Sequence, residues 1–389
     1  MAEAAACFSR FHKEPTMTDK VQAATSRRAF LATSSTAVAG IAGSRVAANA
    51  AEPAAKKASG KRMEMAEILG LPSNRLWQLV KQCGVQHVVG SLGRYSEEEL
   101  KNTDNPPWSY DNLARVKDAY EREGFKFPVL EWRPPTTKIK LGLTGRDDEI
   151  EAVCALLRNM GKLGVGVWCY EWMPVKNWMR TNIAHRSRGG ALVPAFDLAQ
   201  LKEAEISEYG KVTEARLWEN LEYFLKRVVP VAEEAGVQLA MHPDDPPLSP
   251  ILGMPRIMRS VDNYQRLVDT VPSPMNGITL CQGNFTMMTD DLPEVIRHFG
   301  NQKKIFFVHF RDVRGTPEKF EETFHDDGMT DMAACMRAYR DIGFDGVCRP
   351  DHVPTMAGDS NDRPGYSTIG RLFALGYIKG LQDDVYSTS

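Results

Sequence analysis

The sequence lacks any concentrated block of positive charge, and its formal net charge is only −2. This balance argues against a nucleic-acid partner and leaves an anionic substrate to be met by local Arg and Lys side chains. The seven cysteines have no paired spacing, which argues against a disulfide framework. No glycine-rich loop of the dinucleotide-binding type follows any apolar run. The apolar stretch near the N-terminus is too short and too rich in Ala and Gly for a stable membrane span.

Residues 1–60 have the features of an export signal and linker rather than of a folded domain. Arg27 and Arg28 form a twin-arginine pair, a stretch of small residues follows, and residues 48–50 fit a small-x-small cleavage site. The pattern resembles a twin-arginine signal, which predicts a periplasmic or exported protein. A disordered Ala/Ser-rich tail on a cytoplasmic protein is the alternative. Because Met17 would give a conventional signal, residues 1–16 are a candidate mis-assigned start.

Residues 61–389 alternate apolar runs with helical patterns and are predicted to form one catalytic domain. Because the runs are continuous rather than alternating, both faces of the sheet should be buried, which is typical of parallel sheets. The predicted α/β fold is therefore a single (β/α)8 TIM barrel. Its predicted strands, the first of which has the weakest pattern, are 63–69, 87–90, 127–132, 165–170, 238–242, 277–281, 305–309 and 346–351.

Two segments between the fourth and fifth predicted strands depart from the simple alternation. Residues 172–201 are long and irregular, and their aromatic and basic content favours a functional loop. Residues 203–236 are predicted to be helical, in two parts, with Gly236 ending the helix.

Four of the predicted strands end in side chains that bind metals. These are His242, Cys281, His309 and Asp351. Because the carboxyl ends of barrel strands converge on one mouth, the four side chains are expected to meet there. Two imidazoles, a thiolate and a carboxylate suit Mn²⁺, Fe²⁺ or Zn²⁺ better than Mg²⁺ or Ca²⁺. Taken singly, each has a structural explanation, with Cys281 in the core and His309 capping a helix.

The sequence around these residues resembles the mannonate dehydratase family, in the same order from about Leu76 to Leu381. The matching blocks are residues 139–142, 169–181, 242–247, 280–283, 308–313, 349–352 and 364–366. The resemblance implies a barrel of the xylose-isomerase-like type. It also implies loss of water from D-mannonate to give 2-dehydro-3-deoxy-D-gluconate, a hydro-lyase reaction.

Carried over by position, the resemblance assigns roles within the site. The metal ligands fall on the same four strand-end residues, and the catalytic pair falls on His352 and Tyr366. Mn²⁺ or Fe²⁺ is the expected metal, with Zn²⁺ or Co²⁺ as alternatives. One member of the pair would take the proton at C2 and the other would protonate the departing C3 hydroxyl. A homo-oligomer, either a dimer or a tetramer, is also expected.

Six further residues are candidates for substrate contacts, namely Arg311, Asp244, Asp245, Trp178, Arg180 and His325. Arg311 could clamp the substrate carboxylate, or it could form a surface ion pair with Asp312 or Asp341. The two aspartates could orient the ligand histidine before them or bind hydroxyls. Trp178 and Arg180 could form a lid wall. His325 is predicted to lie on a turn that reaches the mouth or is solvated.

Two stretches of the sequence depart from the family pattern and bear on the identity of the substrate. Trp132 to Thr137 replace a stretch that typically reads Ser-Val-Pro-Val-His-Glu, and Val353-Pro354 replace Gly-Arg. A related sugar acid is therefore an open alternative. So are a metal-dependent isomerase or epimerase of the same barrel class and an exported, non-catalytic sugar-binding protein.

Overall fold

The computed structural model describes residues 61–93, 95–101 and 104–387. The predicted export signal and most of the linker lie outside the described residues, so the export signal stays a prediction. Among the described residues, no helix has both the length and the apolar character needed to cross a membrane.

The described chain forms twelve strands and eleven α-helices. The strands are β1 (Glu64–Ile68), β2 (His87–Gly90), β3 (Lys126–Glu131), β4 (Val167–Glu171), β5 (Asn182–Arg186), β6 (Leu192–Asp197), β7 (Gln238–His242), β8 (Asn276–Cys281), β9 (Ile305–His309), β10 (Val313–Thr316), β11 (Lys319–Glu322) and β12 (Val347–Arg349). The helices are α1 (Arg75–Gln82), α2 (Glu97–Lys101), α3 (Tyr110–Arg122), α4 (Thr137–Leu141), α5 (Arg146–Leu163), α6 (Glu214–Ala235), α7 (Val261–Thr270), α8 (Gln282–Phe285), α9 (Leu292–Asn301), α10 (Met332–Asp341) and α11 (Thr368–Ser387).

Eight parallel strands close into a barrel in the order β1-β12-β9-β8-β7-β4-β3-β2. The predicted barrel is thereby confirmed, including its first strand. Every residue of β8 and β9 is buried, as the continuous apolar runs indicate. A small cluster that includes Ala66, Val89, Val129 and Phe307 fills the barrel interior, whereas the larger core packs the strands against the helices.

The segment predicted to be irregular contains two strands, β5 and β6. They join β10 and β11 in an antiparallel sheet of order β10-β11-β6-β5, separate from the barrel. Four of the five residues of β5 are exposed, so its sequence carries no continuous apolar signal. The sheet gains its own core instead, in which Phe196 contacts Phe320 with ring centroids 5.9 Å apart.

Helix α6 is one continuous helix that begins at Glu214, so the predicted start at residue 203 and the predicted division into two parts are wrong. Gly210 adopts a left-handed φ of 64°, which interrupts a helix before it, and Thr213 caps the new start by accepting a hydrogen bond from the Arg216 amide at 3.2 Å. Pro230 lies inside the helix without dividing it.

Helices α5 and α6 approach closely at Gly161. A Cβ atom built there would lie 2.3 Å from the Ala235 carbonyl oxygen. We therefore expect Gly161→Ala to lower the free energy of unfolding by roughly 1–3 kcal/mol, because the two helices must separate. Gly380→Ala in α11 is the control, because nothing lies within 4 Å of its Cβ position. Urea unfolding checks both variants, and equal stability would contradict the close contact.

Candidate metal centre and active site

The four predicted metal ligands come together at the carboxyl end of the barrel. Ligand atoms of His242, Cys281 and His309 all lie within 4.8 Å of one another. Asp351 adjoins them, with its Oδ2 atom 3.6 Å from Cys281 Sγ and 3.6 Å from His309 Nδ1. Three of these side chains end β7, β8 and β9, and the fourth follows β12 by two residues. The barrel topology therefore produces a mixed nitrogen, sulfur and oxygen donor set.

The chain turns sharply at Asp351 to present its carboxylate to the cluster. Its φ is 65°, in the left-handed region that Asp adopts more readily than bulky residues do. Burial by itself would raise the pKa of this carboxyl, but the charges of His352, Arg349 and His309 hold the pKa well below its usual range. Asp351 is therefore an anion at neutral pH and suits a cation.

Each imidazole of the cluster has one nitrogen that faces the other donor atoms. His242 Nδ1 donates to the Pro243 carbonyl at 2.8 Å, which leaves Nε2 as the nitrogen with a free lone pair. Among the described residues, His309 Nδ1 is buried without a hydrogen-bond partner and faces Asp351, while Nε2 lies 3.4 Å from Glu131 and accepts a hydrogen bond from Arg349 Nε at 3.1 Å. An orphaned buried nitrogen beside a carboxylate and a thiol fits a divalent metal.

A second group, formed by Glu131, Cys169 and His309, also brings its ligand atoms within 4.8 Å. The guanidinium of Arg349 already occupies this side. It bonds to both Glu131 oxygens at 2.8 and 3.0 Å and lies 3.1 Å from His309 Nε2. Because burial raises the pKa of the Cys169 thiol well above its usual value, that sulfur also stays protonated. The first group is therefore the better metal site.

The predicted catalytic pair lies beside this cluster. His352 Nδ1 lies 2.9 Å from Glu322 Oε1, and the rings of His352 and Tyr366 meet edge to face with centroids 5.2 Å apart. Burial raises the pKa of the Tyr366 phenol, so it keeps its proton at neutral pH. Burial raises the pKa of Glu322 too, but the charges of His352 and Arg180 outweigh it and lower the pKa overall. The pair therefore combines a phenol that holds its proton with an imidazole backed by a carboxylate.

A cavity of about 770 Å³ opens above the cluster and the catalytic pair. This is within the range of small-molecule binding sites. Its walls are formed by Glu131, Trp132, Arg133, Cys169, Tyr170, Glu171, Met173, Asn177, Trp178, His242, Asp245, Arg349, Asp351, His352, Pro364 and Tyr366. The predicted substrate contacts Asp245 and Trp178 are among them.

Arg311 and Arg180 lie behind the cavity wall rather than on it. Arg311 is only 1% exposed, and its Nε lies 2.6 Å from Asp351 while its Nη2 donates to Asp245 at 3.1 Å. The alternative of a surface ion pair is therefore wrong for Arg311. Arg180 binds Asp245 through two nitrogens at 2.6 and 3.0 Å and also binds Glu322. Both arginines form ion pairs with carboxylates of the site, and neither lines the cavity in which a substrate would bind.

Asp244 and His325 are buried away from the cavity. Asp244 Oδ2 accepts a hydrogen bond from the Met258 amide at 2.7 Å, so the expected contact with the ligand histidine does not form. His325 is fully buried, and its Nε2 lies 3.0 Å from the Pro350 carbonyl. The prediction that His325 lies on a solvated turn is therefore wrong. The buried imidazole instead supports the segment before Asp351.

Glu322 and Arg349 contribute to the site and were not predicted. Arg349 had a readable signal, because it is a charged residue at the end of an apolar strand and two residues before a motif aspartate. Glu322 had none, since it lies on β11, a short strand of the added sheet whose pairing is not visible in the sequence.

Burial lowers the pKa of His325 from 6.5 to about 4, so the folded protein keeps this imidazole neutral. Its contribution to stability is complete above pH 6.5 and is lost as the pH falls toward 4, on the order of 3 kcal/mol. We expect His325→Gln, whose amide can still donate to the Pro350 carbonyl, to lose less stability over this range than the wild type. Urea unfolding at several pH values measures this, and identical pH profiles would contradict a neutral buried imidazole.

The chain is similar to mannonate dehydratases both in a family model and in individual sequences. The model of the D-mannonate dehydratase (UxuA) family matches residues 74–209 and 193–389. A mannonate dehydratase of Thermotoga neapolitana is 38% identical over 338 residues, covering 78% of this chain and 91% of that protein. Mannonate dehydratase 2 of Halalkalibacterium halodurans is 36% identical over 307 residues, covering 72% and 88%.

Solved structures show the same relationship. The crystal structure of mannonate dehydratase from Streptococcus suis serotype 2 superimposes with a TM-score of 0.77 at 31% identity, covering 85% of this chain and 95% of that one. A D-psicose 3-epimerase of Clostridium cellulolyticum gives a TM-score of 0.52 at 14% identity, covering 82% and 99%. The second likeness concerns the fold alone.

Proposed function

This chain belongs to the D-mannonate dehydratase family, and we propose that it removes water from D-mannonate to give 2-dehydro-3-deoxy-D-gluconate with the help of a bound divalent metal ion. The observation that carries the proposal is that two members of the donor cluster, His242 and Asp351, line the same cavity as the pair His352 and Tyr366. Export and a homo-oligomeric state stay predictions.

His242, Cys281, His309 and Asp351 would hold the metal, and their mixture of donors favours Mn²⁺ or Fe²⁺, with Zn²⁺ or Co²⁺ also compatible. When bound, the ion would supply positive charge that stabilises the negative charge developing next to the substrate carboxylate. The protein prepares for this by orienting both imidazoles and by keeping Asp351 ionised.

The two proton transfers are divided between His352 and Tyr366. With Nδ1 turned to Glu322, His352 presents Nε2 as the nitrogen left for the substrate, and its position suits removal of the C2 proton. The Tyr366 phenol retains its proton and suits protonation of the departing C3 hydroxyl. Glu322 acts through His352 as a positioning residue, itself held by Arg180.

Substitution of the pair should separate the two transfers. We expect His352→Ala and Tyr366→Phe each to lower turnover of D-mannonate by about 10² to 10⁴-fold, measured as formation of the 2-keto-3-deoxy acid. In D₂O, Tyr366→Phe should still exchange the C2 hydrogen, whereas His352→Ala should not, because only the base is needed for exchange. The reverse pattern would interchange the two roles.

Wild-type protein that holds metal but forms no 2-keto-3-deoxy acid would contradict the dehydratase. An isomerised or epimerised product in the same assay would favour the isomerase or epimerase instead. Unchanged function in His352→Ala would favour a binding protein.

Removal of the thiol should release the metal. We expect the purified wild type to hold close to one equivalent of Mn or Fe by elemental analysis, and Cys281→Ala to hold much less, because a soft ligand is lost. Cys335→Ala, a buried thiol outside the cluster, is the control. A metal-free wild type with full activity would contradict the site.

A further inference from the structure

The cavity wall formed by the ends of β3 and β4 carries a charged group that the proposed reaction does not use. It consists of Arg133, Lys140 and Glu171. In the closed barrel β3 lies across from β9, four strands away in either direction, and β9 carries the ligand His309. At one end this group adjoins the cluster, because Glu171 pairs with His242 across β4 and β7, whereas Arg133 follows β3 by two residues on the same cavity wall.

Glu171 and Lys140 form hydrogen bonds with each other and with neighbouring groups of the protein. Glu171 Oε1 accepts from Arg133 Nε at 2.5 Å and from Lys140 Nζ at 2.6 Å, and its Oε2 accepts from the Met173 amide at 2.5 Å. Lys140 is only 2% exposed and also donates to the Met173 carbonyl at 3.1 Å. Both oxygens of Glu171 are therefore engaged, and Lys140 is buried and is not one of the residues that line the cavity.

Arg133 is held differently, because among the described residues only its Nε forms a hydrogen bond or ion pair. In the described part of the chain, neither of its terminal nitrogens has a hydrogen-bond or ion-pair partner, and the side chain is 30% exposed on the cavity wall. The other arginine on the wall, Arg349, is buried and uses Nε and Nη2 to bind Glu131 and Asp351, so that among the described residues only its Nη1 has no partner. Arg133 therefore offers the cavity an oriented fork of unused donors.

The group carries a net positive charge near neutral pH. Burial would raise the pKa of Glu171, but Lys140 and Arg133 lower it to about 2. Burial and the charge of Arg133 lower the pKa of Lys140 to about 8, which still leaves it mainly protonated at pH 7. Arg133 and Lys140 are thus two cations that face one carboxylate, and of the two only Arg133 lines the cavity.

We propose that Arg133 forms a subsite for a second carboxylate, and that this enzyme prefers six-carbon sugar diacids over sugar monoacids. The inference rests on the proposed function, because it places the first carboxylate at the metal-binding cluster and leaves the other end of the substrate to the cavity wall that carries Arg133. A guanidinium fixed through Nε binds a carboxylate with two parallel N–H···O bonds. A hydroxymethyl group at the same place would leave these donors without a charged partner.

The test compares D-mannonate with D-mannarate, which differs from it only in carrying a carboxylate at C6. We expect the metal-loaded wild type to have the higher kcat/KM for the diacid. Arg133→Met should reduce the diacid-to-monoacid ratio of kcat/KM by roughly 10- to 100-fold, as expected for a lost charged hydrogen-bond pair. Arg133→Lys should recover part of the ratio, since it restores the charge without the fork.

Arg158→Met is the matched control, because Arg158 is an exposed arginine on α5 that pairs with Glu151 outside the cavity. It should leave the ratio unchanged. A wild type without preference for the diacid would overturn the inference while leaving the dehydratase intact. Equal losses on both substrates in Arg133→Met would also overturn it, because they would assign Arg133 to the shared carboxylate or to the cavity wall.

Binding of D-mannarate, followed by tryptophan fluorescence, separates the subsite from the reaction. Trp132 lies next to Arg133 on the same wall, and its indole is anchored to the Gly93 carbonyl at 2.8 Å. If the wild type turned over neither acid, the proposed function would fail. Diacid binding that is lost in Arg133→Met but kept in Arg158→Met would still support the subsite, and equal binding by all three proteins would overturn it.

Discussion

The carboxylate of Asp351 lies between two buried guanidiniums, and the geometry of the whole site depends on this arrangement. Arg349 Nη2 is 2.9 Å from one oxygen and Arg311 Nε is 2.6 Å from the other. The same arginines extend the network to Glu131 and Asp245. A buried charge without its partner would cost several kcal/mol, so these groups are stable only together. The network thereby places one metal-binding carboxylate and supports the imidazole beside it.

The antiparallel sheet outside the barrel supplies part of the chemistry. Its strand β11 carries Glu322, which contacts the proposed catalytic residue His352, and Arg180 just before β5 binds the same carboxylate. The sheet has a core of its own around Phe196 and Phe320. A barrel strand end thus provides the imidazole, while an inserted element provides the carboxylate that orients it.

The two sides of the cavity differ in their relation to the family pattern. The metal-binding side consists of residues within the motifs that resemble the family, such as His242 and His352. The wall at β3 includes Trp132 and Arg133, which belong to the stretch that departs from that pattern. In the proposed function, the residues for water removal and the residues that would select the sugar acid therefore belong to different parts of the chain.

The sequence by itself determined the barrel and the meeting of the four strand-end ligands, because continuous apolar runs and the convergence of parallel strand ends are properties of local pattern and chain topology. It also indicated His352 and Tyr366 through their motif.

Only the tertiary structure decided which charges are paired. Arg311 is buried against Asp351, and Glu322 contacts His352 from a sheet with no clear sequence signal. The terminal nitrogens of Arg133 have no partner among the described residues. Pairing of this kind depends on which distant side chains share a buried space. Local spacing along the chain does not encode it.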